Sequence, residues 1–204
     1  MSTAAPSTQA AAAELLSHWW SRPEADETSA WEDAWPAARE LAQELAVGER
    51  GVDELWAACR GAGREELLDE YERLFVGPGR TPCPPYESLW LQDPSRSERG
   101  RLMGAASAAV ADLYQRLGVD VSASARELAD HVAIEWEALA YASRSDDPDA
   151  EPVATSLLAE HLALWLPPFC DAVEQHAQIA YYGALARLTR SWAQALGRAT
   201  DAAP

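Results

Sequence analysis

Asp130 and His131 sit side by side, with Glu135 four residues further on. On a regular helix His131 and Glu135 share a face at i, i+4, bordering a stripe of Leu128, Val132, Trp136 and Leu139. Such a group can accept paired hydrogen bonds from a guanidinium, ligate a metal, or serve as a satisfied core histidine with an early-turn acid favoured by the helix dipole. A carboxylate di-metal bundle needs two Glu-x-x-His elements on partner helices. Neither Glu160-His161 nor His131 to Glu135 has that spacing, and His161 reads as structural. Cys59, Cys83 and Cys170 are isolated, with no CxxC pair, which suits a reducing compartment better than a disulfide framework. Cys83 has no evident base, and Gly77-Pro78-Gly79 lacks the Gly-Lys-Ser/Thr of a phosphate loop. These residues read as a binding surface rather than a catalytic centre, and no metal or cofactor is assigned.

A second concentration of chemistry lies at residues 70–90, EYERLFVGPGRTPCPPYESLW. Glu72 and Glu87 join Asp130 and Glu135 as carboxylates able to meet a guanidinium, although Glu87 can equally cap amides in its own turn. Leu74, Phe75, Tyr86, Trp90 and Trp136 can wall an apolar groove of the kind that receives a helix. Leu74 and Phe75 also lie on a stripe suited to core packing.

The elements that must position these groups are helical. Alanine is about a fifth of the chain and β-branched residues are sparse. Apolar stripes predict helices over 65–75, over 102–117 with Gly118 as its stop, from Ser122 or Ser124 through Leu139, and over 179–196. Weaker patterns predict helices at 10–20, 35–46, 52–60 and 153–165. No segment alternates with period two, so the fold class is all-α: one helical-bundle domain over 1–204, with about nine to eleven helices. Residues 118–124 form a candidate hinge between its N- and C-terminal parts. Residues 76–98 form a long proline-bearing loop, of a kind usually functional. Trp56, Trp165 and Trp192 are expected in the core.

Charge narrows the partners. The 204 residues carry 33 acidic and 16 basic side chains, net −17, and every cation is arginine. That field excludes coating of nucleic acid or an anionic membrane. An apolar share of 48% supplies a core. No stretch approaches the roughly 20 apolar residues of a membrane span, and the first twenty residues lack the pattern of a secretory leader. The expectation is a soluble, cytoplasmic protein with no stable membrane insertion.

The run Glu70 to Trp90 resembles the signature of the TorD/DmsD family of redox-enzyme maturation chaperones: an aromatic residue, RLF-x-GP, a spacer, then PP-aromatic-ES. Asp130-His131 with Glu135 and Glu137 is similar to the family's Asp-His element, though the position two before the pair, often proline, is Leu128. Leu102-Met103-Gly104 and the segment from His161 to Tyr182 are similar to its later helices. The resemblance covers about 64–196. It implies an all-helical cytoplasmic chaperone that binds the twin-arginine signal peptide and precursor of a dimethyl-sulfoxide-reductase-type molybdoenzyme. Export would then be delayed until cofactor insertion and folding are complete. It further implies leader contacts at Tyr71, Leu74, Phe75, Tyr86, Gly104, Asp130 and His131, to which the residue types add Glu87, Trp90 and Glu135. The alternatives are an assembly chaperone for a membrane-anchored nitrate-reductase-type enzyme and a metal-dependent helical-bundle enzyme on His131, Glu135 and His161. A monomer or a domain-swapped dimer fits either chaperone.

Overall fold

The computed structural model describes residues 7–23, 27–77, 81–91, 102–119 and 127–201. Among them the α-helices are α1 (Thr8–Trp20), α2 (Glu27–Glu44), α3 (Arg50–Gly61), α4 (Arg64–Tyr71), α5 (Ala105–Arg116), α6 (Val132–Ala142), α7 (Ala150–Ser156), α8 (Ala163–His176) and α9 (Ala180–Asp201). No named strand occurs among the described residues; the one β element is an isolated bridge. The all-α expectation holds. Residues 120–124 of the candidate hinge lie outside the described residues.

Local chemistry explains the helix ends. Ser7 caps α1 by accepting from Ala10 N. Gly118, at φ 68°, ends α5 in the left-handed region where glycine is unstrained, as its position after Leu117 predicts. Three predicted boundaries shift. Leu102 and Met103 lie in an exposed turn before α5 rather than in it. Residue 128 precedes α6, because a turn closed by His131 N donating to Leu128 O delays the helix to Val132. His131 therefore caps α6 instead of sharing a helical face with Glu135. Helix α2 also begins upstream of the predicted Trp35 and carries Pro36 inside it.

Helices α7 and α8 form one 27-residue rod, Ala150–His176, joined by a π-turn at Leu157–Leu162. Proline at 167 and 168 removes two helical donors, and both prolines lie with Ala163 and Leu164 on the solvent side, where water can meet the freed carbonyls. Contrary to the sequence expectation, this rod is long and apolar enough to cross a membrane (mean hydropathy 1.2). However, 56% of that stretch is buried, as in a core helix.

The core joins α1 to α9. Trp20, Trp136, Trp165, Trp192, Tyr182 and Phe169 are fully buried. Phe75 is edge-on to Trp20 at 5.9 Å, Tyr71 at 5.0 Å and Tyr182 at 5.4 Å, geometry that favours aromatic pairs. Trp165 and Trp192 are core, as expected. Trp56 is half-buried instead, stacked on Trp35 at 5.3 Å between α3 and α2.

One polar staple holds α4 to the α8–α9 turn. Glu70, 5% exposed, takes two 2.7 Å hydrogen bonds from Arg73 and another from Gln178 N, while Arg73 also donates to His176 O at 2.6 Å. Replacing Glu70 by alanine leaves a guanidinium and a backbone amide without their acceptor. We expect Glu70→Ala to cost about 2 kcal/mol, read as a lower urea midpoint at unchanged slope.

Candidate functional site

After α4 the chain widens into a π-turn, Glu72–Val76, closed by Gly77 N donating to Glu72 O at 2.7 Å. Residues 81–91 then run without helical periodicity until a short 3₁₀ turn at Glu87–Leu89. Backbone bonds pin this segment at both ends. Cys83 N donates to Leu74 O at 3.1 Å. Tyr86 pairs with His131 in an antiparallel bridge, where Val132 N donates to Pro85 O (2.9 Å) and Glu87 N to Asp130 O (3.0 Å). Trp90 Nε1 donates to Pro84 O at 2.7 Å and closes the loop on itself. Burial pushes the Cys83 thiol up to about 12, so it is an inert packing group.

Beneath the bridge lies a buried polar cluster. Asp130, Glu87 and Glu135 are 0% exposed, His131 2% and His161 8%. Asp130 Oδ2 accepts from Ser88 N at 3.0 Å. Both Glu87 oxygens meet His161 Nδ1, at 3.0 and 2.9 Å. Trp165 Nε1 donates to Glu135 Oε2 at 3.1 Å. Burial, then the charge of Glu87, raises Glu135 well above the carboxylate range against the pull of the Trp165 indole, which favours its neutral form. Burial likewise pushes His131 down to about 4, outweighing the charge of Asp130. Its Nδ1 accepts from Ala133 N at 3.2 Å, which leaves the proton on Nε2, facing Glu127 at 3.9 Å. A neutral ring at that distance makes no ion pair. Above it the Tyr86 ring stands edge-on at 5.3 Å and its hydroxyl donates to Glu127 Oε2 at 2.8 Å.

Comparison with known proteins follows this geometry. Residues 24–171 match the profile of the family described as nitrate reductase delta subunit. The chain belongs to that family. It is similar to the Tat proofreading chaperone DmsD of Salmonella typhi, 28% identical over 160 residues covering 78% of this chain and 70% of DmsD. The chaperone protein TorD of Shewanella loihica is 28% identical over 62% of this chain and 58% of TorD. A chlorate reductase assembly chaperone protein of Ideonella dechloratans is 35% identical over 59% of this chain and 65% of its own length. Among solved structures, one described as a redox enzyme maturation protein of Archaeoglobus fulgidus superposes with a TM-score of 0.57 at 24% identity, covering 92% of this chain and 93% of that one. The likeness read from the loop motif is therefore that of the family itself, and these named relatives are chaperones rather than enzymes.

Within this delta-subunit family member, the residues singled out from the sequence fall into three layers. Tyr86 and Trp90 are half-buried at the surface of the loop, and Gly104, also half-buried, opens α5, which packs on the Glu87–Leu89 turn. Glu87, Asp130, His131 and Glu135 form the buried network beneath. Tyr71, Leu74 and Phe75 lie lower still, in the core with Trp136. The buried carboxylates face inward and are committed to Ser88, His161 and Trp165, so none is open to a guanidinium from outside. Glu72 is 39% exposed but holds Arg22 at 2.7 Å. Glu87 does not cap its turn; Asp130 supplies a cap there from across the bridge. Sequence reasoning did not find Glu127, Ser88, Trp165 and the cluster role of His161, which lies 74 positions from Glu87 with no spacing to connect them. Among the described residues no three His, Cys, Asp or Glu side chains converge as metal ligands.

The buried neutral His131 makes stability pH-dependent. Its folded value lies below the unfolded 6.5, so its contribution is present above pH 6.5 and lost as pH falls towards 4. The loss is on the order of 3 kcal/mol. His131→Asn keeps an acceptor for Ala133 N and removes that titration. The fall in urea midpoint between pH 6.5 and 4 should be shallower than in the parent protein.

Proposed function

We propose that this chain is a cytoplasmic chaperone that binds the twin-arginine signal peptide and precursor of a dimethyl-sulfoxide-reductase-type molybdoenzyme, and delays export until the cofactor is in place. What carries the reading is the match to a Tat proofreading chaperone over 78% of the chain, together with the folding of the signature motif onto Asp130 and His131. The proposed binding site comprises Tyr71, Leu74, Phe75, Tyr86, Glu87, Trp90, Gly104, Asp130, His131 and Glu135. The layering divides their work. Tyr86, Trp90 and Gly104 are placed to touch the peptide's apolar run, while the buried residues hold the loop that presents them. The acidic surface, net −17, steers an arginine-bearing peptide towards the chaperone.

A second reading is favoured by the family description itself: an assembly chaperone for a membrane-anchored, nitrate-reductase-type enzyme. Capture of the client from native cells separates the two, through the catalytic subunit recovered.

Calorimetry with synthetic leaders tests the first reading. A leader with both arginines should bind at least tenfold more tightly than its scrambled sequence, and more weakly as salt rises. Tyr86→Ala should weaken binding about tenfold with unchanged helicity. Equal affinity for scrambled and native leaders of every candidate client overturns the reading.

A further inference from the structure

Glu87, Asp130 and Glu135 are closed over and Glu72 is held by Arg22, so a guanidinium approaching from solvent has another acceptor to find. A groove of about 630 Å³ between α1 and α6 provides one, lined by Glu14, Ser17, His18 and Ser21 on one side and by Glu137, Ala140, Tyr141, Arg144 and Ser145 on the other. Glu137 is exposed and has no ion-pair partner among the described residues, and Tyr141, 48% exposed, offers a ring face for stacking. The groove already contains a guanidinium. Arg144, from the turn after α6, reaches across and pairs with Glu14. That pair is exposed (39% and 62%), so screening leaves it weak and a competing guanidinium can replace it.

Its position also suits the loop. Helices α1 and α6 run antiparallel: Ser7, at the start of α1, meets Ser143, at the end of α6, and the two helices pack along their length. From Glu137 the groove thus leads towards His131 and Tyr86. Glu137 lies six steps along from His131, about 9 Å, which two or three extended residues span. A peptide with arginines in the groove would deliver its following residues to Tyr86.

We propose that the α1–α6 groove is a guanidinium-binding subsite, with Glu14 and Glu137 as acceptors, Tyr141 as stacking surface and Arg144 as an internal placeholder that an arginine of the bound peptide displaces. This rests on the leader-binding reading for its biological ligand, but the subsite itself is tested separately. Nuclear magnetic resonance titration of the full chain with acetyl-Arg-Arg-amide should shift resonances of Glu14, Glu137 and Tyr141, and acetyl-Lys-Lys-amide should not. Absence of those shifts, or shifts equal for lysine, overturns the subsite whatever leaders do. Arg144→Gln should tighten the dipeptide and any twin-arginine leader about threefold, whereas Glu14→Gln with Glu137→Gln should weaken both at least tenfold. Unchanged affinity in these surface variants also overturns it. If the dipeptide maps to the groove while native and scrambled leaders bind equally, the leader reading fails and the subsite stands.

Discussion

The loop at residues 81–91 depends on one pairing, the bridge between Tyr86 and His131. A proline-rich segment cannot bond to itself as a helix does; residues 84 and 85 offer no amide hydrogens. Its polar backbone must find partners elsewhere. The start of α6 supplies them, since the first turn of a helix has amides to give and the residues before it have carbonyls to accept. Val132 N and Asp130 O take up that exchange, and the Asp130 side chain extends it to Ser88 N. His131, forced out of the helix by the bridge, satisfies a further amide through its own ring. A neutral imidazole is the form that can do so, and burial enforces it.

The same burial decides the protonation of the groups below. Three carboxylates in one water-free region would repel if all were ionised. The fold disposes of them differently: Asp130 accepts a backbone amide, Glu87 takes the His161 ring, and Glu135, pushed by burial towards its neutral form, takes the Trp165 indole. Apolar side chains of similar volume can match such a cluster for stability. What they lack is direction. Each hydrogen bond here fixes one element relative to another, joining the loop, α6 and the α7–α8 rod, and adds to the backbone bonds that hold the loop in a single register.

How much of this was readable from sequence follows from the range of each interaction. Helices are local, so apolar spacing located α5, α6 and α9, and Gly118 marked the end of α5. Cores follow from helices, so Trp165 and Trp192 were placed correctly. The failures are non-local or involve irregular turns. The apolar stripe places the start of α6 too early because the bond from Val132 N to Pro85 O, far upstream in the chain, holds the backbone out of the helix before Val132. The π-turn at Leu157–Leu162 adds a residue to one helical turn, which blurs the stripe and made the 153–165 pattern look weak and short. The motif was legible as a motif, but its layering was not: Asp130 takes the capping role open to Glu87, and Glu87 takes His161, because these partners lie on other segments.

A consequence for recognition follows from the layering. Residues that define the signature need not be those that meet the ligand, since a loop shaped by buried carboxylates requires those carboxylates whatever it binds. Glu87, Asp130 and Glu135 meet that structural need from buried positions, each holding a partner on another element. The surface that can exchange partners is elsewhere: Tyr86 and Trp90 on the loop, and the solvent-facing carboxylates of α1 and α6. In those positions an ion pair forms and breaks at small cost, whereas uncovering a buried carboxylate to greet a cation would break the hydrogen bonds that hold the loop in shape. Reversible binding of a cationic peptide is therefore better served by the exposed layer, with the buried one keeping it in register.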